Sequence, residues 1–308
     1  MVQLSQEENQ RRKSAILKTL WIILFLNLGV ALAKYIYGLV TKSVAMQADG
    51  IHSIFDSAGN VVGIIGLSLA SKPADTKHPY GHAKFETYAS VLIGIFLLFA
   101  AYNIGSTAIA ALMAQDSQIE VGISSFLVML VSLVINLFIT IIERRQAKTL
   151  RSEILEADAL HTLSDALVSI SVIVSLVLVS FGFTKADAVV SLFVCAAIFY
   201  TAYSVFKQAN ASLSDRARIP YEDIAEQASK IEGVDNIHAI RTRGTEGEVY
   251  VDLHMLVDPE MSVAHAHSLA DKLEALLKRE FPQVVDVVVH IEPDSPQQRL
   301  EAAQESLA

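Results

Sequence analysis

One cysteine and one tryptophan in 308 residues leave several familiar architectures out of reach. A lone Cys195 in an apolar run permits neither a disulfide framework nor a thiolate metal site within one chain, so a metal here must be held by histidine and carboxylate. No histidine is followed by glutamate, which excludes the His-Glu-x-x-His pattern of zinc hydrolases; no residue is read as a catalytic group, and an enzyme is not expected. No small-residue cleavage site follows the first apolar run, which begins after Arg11, Arg12 and Lys13, so this run is read as a retained span. The formal net charge of −9 sits mainly in the last third and the first ten residues, which argues against a nucleic-acid partner.

Hydrophobic residues supply 52% of the chain, in several runs of about 20 residues, long enough to cross a bilayer. Six spans are predicted at 15–40, 43–70, 85–113, 121–143, 154–181 and 186–208. Lys and Arg gather before the first span, between the second and third, between the fourth and fifth, and after the sixth. The opposite loops hold only Lys42 and Lys185, so both termini are expected in the cytoplasm. The domain plan is a cytoplasmic segment 1–14, a membrane domain 15–210, a linker 211–218, a soluble domain 219–293 and a flexible tail 294–308.

The nonapeptide ADGIHSIFD, from Ala48 to Asp56, recurs as ADALHTLSD from Ala157 to Asp165. In each copy Asp, His and Asp fall at i, i+3 and i+7, one face of a helix inside an apolar span. A charge near the bilayer centre costs roughly 2.5–3.5 kcal/mol on insertion scales, so these groups need a compensating partner, and a divalent cation suits them. On the topology above the second and fifth spans are antiparallel and can bring His52, Asp56, His161 and Asp165 together, a two-imidazole, two-carboxylate set that zinc accepts. Asp49 and Asp158 are left as supporting or vestibule groups.

Between the second and third spans, KPADTKHPYGHAKFE packs Asp75, His78 and His82 into eight residues, with Pro79 and Gly81 enforcing a turn. Beyond Arg218 the order helix, strand, strand, helix, strand predicts an α+β, ferredoxin-like domain. Alternation in its second strand puts Val249, Val251, Leu253 and Met255 in the core and His254 on the other face. The last strand is expected to expose Asp286, His290 and Glu292 together. All nine histidines lie in the spans, the inner loop or this domain, and none on the outer side, a layout suited to export.

The motifs HSIFD, HTLSD, ADTKHPYGH, VDLH, AHAH and VVHIEP together resemble the cation diffusion facilitators, proton-coupled zinc exporters, over nearly the whole chain. The resemblance implies a transport site of His52, Asp56, His161 and Asp165, and a loop site of Asp75, His78 and His82. It also implies a cytoplasmic-domain site of His238, His254, His267, His290 and Glu292, a homodimer, and a charge interlock of Lys84 with Asp215. Some members carry Asp where His52 stands, others a polar ligand where Ile291 stands, and His265 has no counterpart. Zinc is the expected metal, with iron(II), cobalt, cadmium and nickel binding similar donors. The short connection ERRQAKTLRSE lacks the histidine-rich insert of animal zinc transporters and points to a bacterial cytoplasmic membrane. Protons competing for His52 or His161 suggest exchange, with a metal receptor or an uncoupled channel as the alternative.

Overall fold

The computed structural model describes residues 2–40, 53–54, 57–113, 123–180, 186–234 and 236–305. The chain divides into two compact units, Arg12–Asn210 and Met1–Arg11 with Ala211–Ala308. Among the described residues six helices run through the first: α1 (Val2–Val40), α2 (Ala58–Ala70), α3 (Lys84–Met113), α4 (Ile123–Leu150), α5 (Glu153–Ser180) and α6 (Ala186–Leu213). Stretches of α1, α3 and α6 (Gln10–Tyr37, Lys84–Ala110 and Ala188–Leu213) are long and apolar enough to cross a membrane. Helix α5 has 28 residues, about 42 Å at 1.5 Å per residue, and its acidic groups lower its hydropathy rather than its reach.

The bundle core is built from Leu20 of α1, Leu67 of α2, Ile93 and Leu97 of α3, Ile154 and Leu155 of α5 and Ile198 of α6. Large apolar side chains such as Phe99, Phe193 and Phe199 face outward, as they do where the surroundings are lipid. Helices α2 and α3 cross closely at Gly66, where an added Cβ would overlap that of Ala89 and sit 3.5 Å from the Phe85 carbonyl oxygen. Gly66→Val is therefore expected to cost about 1–3 kcal/mol, read as a lower thermal midpoint of the detergent-solubilised chain.

The basic residues read as a loop between the fourth and fifth spans continue α4 to Leu150 instead, and the connection shrinks to Arg151 and Ser152. Arg151 has φ 48°, and the Ser152 N–H donates to the Ala147 carbonyl at 3.1 Å, a Schellman closure. The Arg12 guanidinium donates to the Leu150 and Arg151 carbonyls at 2.8 and 3.1 Å, and Lys13 to the Ala70 carbonyl at 3.0 Å. The basic cluster before the first span thus satisfies the last carbonyls of α2 and α4, where positive charge also complements the helix dipole. At the other side of the turn, Glu86 of α3 accepts from the Ser152 hydroxyl at 2.5 Å, and Thr87 donates to Glu153 at 2.8 Å. These buried bonds fix where α5 begins.

In the second unit α7 (Tyr221–Ala228), β1 (Asn236–Gly244), β2 (Val249–Val257), α8 (Val263–Glu280) and β3 (Val284–Pro293) form the expected helix, strand, strand, helix, strand order. The sheet order is β1-β2-β3, with β1 antiparallel and β3 parallel to β2. Val249, Val251, Leu253 and Met255 are buried together with Leu269, Leu273 and Leu277 of α8, as strand alternation required. The segment read as a flexible tail carries α9 (Pro296–Glu305), preceded by Asp294, whose carboxylate pairs with Arg299.

Candidate metal centres

His161 and Asp165 lie one turn apart on α5, Nδ1 to Oδ2 3.7 Å, the histidine largely buried. Helix α2 packs beside them. A Cβ placed on Gly59 would lie 3.7 Å from Asp158 Oδ1 and 3.9 Å from His161 Cδ2. Asn60 Nδ2 donates to Asp158 Oδ2 at 2.5 Å, and Asn27 Nδ2 of α1 donates to Asn60 Oδ1 at 2.9 Å. His52, Asp56 and Asp49 lie outside the described residues. Their neighbour Ser53 accepts from Lys34 at 3.1 Å and takes the Ser57 hydroxyl on its carbonyl at 3.2 Å. Sequence reading missed Asn27 and Asn60, although Asn60 falls four residues after Asp56, on the same helical face.

In the loop between α2 and α3, the Asp75 carboxylate accepts from the backbone N–H groups of Lys77 and His78 at 2.8 and 2.7 Å, and the His78 carbonyl accepts from Gly81 at 2.9 Å. Gly81 has φ 80°, which a side chain would strain. This folding brings one ligand atom each of Asp75, His78 and His82 within 4.8 Å of the others. His82 Nδ1 lies 3.1 Å from the Pro73 carbonyl oxygen; a carbonyl only accepts, so Nδ1 carries the proton and Nε2, 3.6 Å from Asp75 Oδ2, presents its lone pair.

The His78 N–H, then that of Lys77, hold the Asp75 carboxyl below the usual carboxylate range. With the folded value depressed, the stabilising bonds are fully present above the unfolded value of about 4 and fade as pH falls through the lower one. Carboxyl 13C NMR of the metal-free chain is expected to place the Asp75 midpoint below about 3.9; a midpoint at or above it contradicts this geometry.

The three-stranded sheet assembles a third cluster. His238 of β1 pairs in register with His254 of β2, and His254 with His290 of β3, so three imidazoles form a row across the sheet. Their ring centroids are 5.1 and 4.8 Å apart. After His238, Ala239 at φ 49° opens a bulge in β1. Glu292 reaches back over the row: Oε2 is 3.2 Å from His238 Nε2, and Oε1 is 3.0 Å from His254 Nδ1 and 3.6 Å from His290 Nε2. Glu292 is 9% exposed rather than open to solvent as alternation alone suggested, because the histidine row covers it.

His254 Nδ1, although 3.0 Å from that carboxylate, is buried without a hydrogen bond among the described residues, and one ligand atom each of His238, His254 and Glu292 lies within 4.8 Å of the others. Two imidazoles and a carboxylate meeting in this way suit zinc and related first-row ions. His290 lies at the open edge, 65% exposed. His267 stands on α8, its Nε2 3.8 Å from Asp271, and it is not a member of the cluster formed by the described residues. Lys84 opens α3, and Asp215, at φ 53°, closes the C-terminus of α6, where the Arg216 N–H donates to the Ala211 carbonyl at 3.0 Å.

Comparison with known proteins accounts for both units. Residues 20–214 match the cation efflux transmembrane domain, and residues 217–294 match the cytoplasmic domain of cation efflux proteins. An uncharacterized transporter of Methanocaldococcus jannaschii is 35% identical over 85% of this chain and 95% of its own. Cation-efflux pump FieF of Pectobacterium atrosepticum is 32% identical over 83% and 85%. The uncharacterized transporter YdbO of Bacillus subtilis is 29% identical over 86% and 91%. The apolar helices, the two matched domains and the extent of these relatives identify the chain as a multi-pass membrane protein of the cation efflux, or cation diffusion facilitator, family.

Proposed function

We propose that the protein exports divalent metal ions from the cytoplasm in exchange for protons, with zinc as the principal ion and iron(II), cobalt and cadmium as further substrates. The observation that carries this reading is the His161–Asp165 pair, set one turn apart within the bundle and backed by α2 at Gly59. His52 and Asp56 complete the site in this reading, and Asp158, with Asn60 beneath it, orients its inner side. An imidazole binds metal only while its ligating nitrogen is unprotonated, so a proton arriving from outside displaces the ion and is carried inward.

The chain works as a homodimer in a bacterial cytoplasmic membrane with both termini inside. Metal at His238, His254 and Glu292, joined by His290 and with His267 contributing to a second ion, draws the two cytoplasmic domains together and favours transport. Asp75, His78 and His82 gather ions at the inner mouth. The family match, the histidine and carboxylate clusters and the name of the Pectobacterium relative, a cation-efflux pump, support this reading.

The test is flux into proteoliposomes with zinc, iron(II), cobalt and manganese in competition under one imposed gradient, acid inside. Zinc is expected to enter fastest and manganese slowest, because two imidazoles favour borderline over hard ions. Flux indifferent to the pH gradient would indicate a channel, and binding without flux a receptor.

A further inference from the structure

Glu143 of α4 is fully buried, and among the described residues no donor makes a hydrogen bond to either of its carboxylate oxygens. It faces Asp158 and Thr162 of α5 within hydrogen-bonding reach, but the Thr162 hydroxyl donates to the Asp158 backbone carbonyl at 3.2 Å. Asp158 is 2% exposed and takes the Asn60 amide on Oδ2. Two carboxylates therefore meet in the interior with one donor between them; among the described residues no Lys, Arg or His stands at ion-pair distance from either, and the His161 imidazole, when protonated, acts on Asp158 from one turn along α5. Such a pair is stable only with positive charge close by. The Asn27–Asn60 chain, which ends in a donated hydrogen bond, favours Asp158 as a charged ligand.

The pair also lies where an ion would pass. Asp158 precedes His161 by three residues, about 4.5 Å along α5, and on the topology above this is the cytoplasmic side. Resting on the export reading of α5, we propose that Glu143 and Asp158 form an inner oxygen-ligand station, which holds a divalent cation before it reaches His161 and Asp165. Carboxylate oxygens discriminate less among divalent ions than imidazole does, so the station admits and the histidine site selects.

The test is the number of zinc ions bound per full-length chain in detergent, measured by elemental analysis after equilibrium dialysis. In an Asp165→Ala background, adding Glu143→Gln is expected to remove one bound ion, and Asp158→Asn to do the same. An unchanged count in both overturns the proposal and leaves the pair bridged by a proton. Glutamine keeps the shape of glutamate; an elution volume matching the parent chain, together with an unchanged count at the C-terminal cluster after proteolytic release, establishes that a lost ion is not a lost fold. The export reading fails separately, if Asp165→Ala alone carries zinc at the parent rate.

Discussion

Asp165→Ala is expected to lower zinc flux into proteoliposomes roughly 100-fold or more. Removing a group that merely orients a metal ligand already costs about 10–100-fold. Asp165 is read as a ligand itself, and its loss leaves His161 beside an ion with one charge fewer to neutralise it. Asp165→Glu keeps the charge but moves the carboxylate outward by one methylene, so a partial recovery is expected. Near-parental flux in the alanine variant would place the ion path elsewhere in the bundle.

Glu292→Ala is expected to abolish metal-dependent stabilisation of the C-terminal unit. Binding to the folded state alone stabilises by about 2.7 kcal/mol when free metal is 100 times its dissociation constant. Glu292 contacts all three histidines of the row, so its removal takes away the one carboxylate that joins them among the described residues. His267→Ala is expected to keep most of the zinc-induced rise in thermal midpoint, because His267 sits on α8 beside Asp271. Equal losses in the two variants would mean that His267 completes the same ion site.

Much of this was legible in the chain because it depends on periodicity. Alternation in VYVDLHMLV fixed which side of β2 is core, and the 3.6-residue period of ADALHTLSD set His161 and Asp165 on one face of α5. What escaped depends on contacts between distant segments. Arg144, Arg145 and Lys148 look like a cytoplasmic loop, yet α4 continues through them because the Schellman turn at Arg151 and the Arg12 guanidinium satisfy its end. Glu292 falls on the polar face of β3, and only the cross-strand row of His238, His254 and His290 explains why it is buried. Asn27, Asn60 and Glu143 carry no spacing signature shared with Asp158; three separate helices bring them towards it on a fourth.

Proton exchange for metal at His161 and Asp165 is tested most directly by a pH-sensitive dye trapped in proteoliposomes, without an imposed gradient. Adding zinc outside vesicles whose transporters present their cytoplasmic face outward is expected to make the lumen more alkaline as zinc enters, with both changes lost in Asp165→Ala. Zinc entry with an unchanged lumenal pH would contradict exchange.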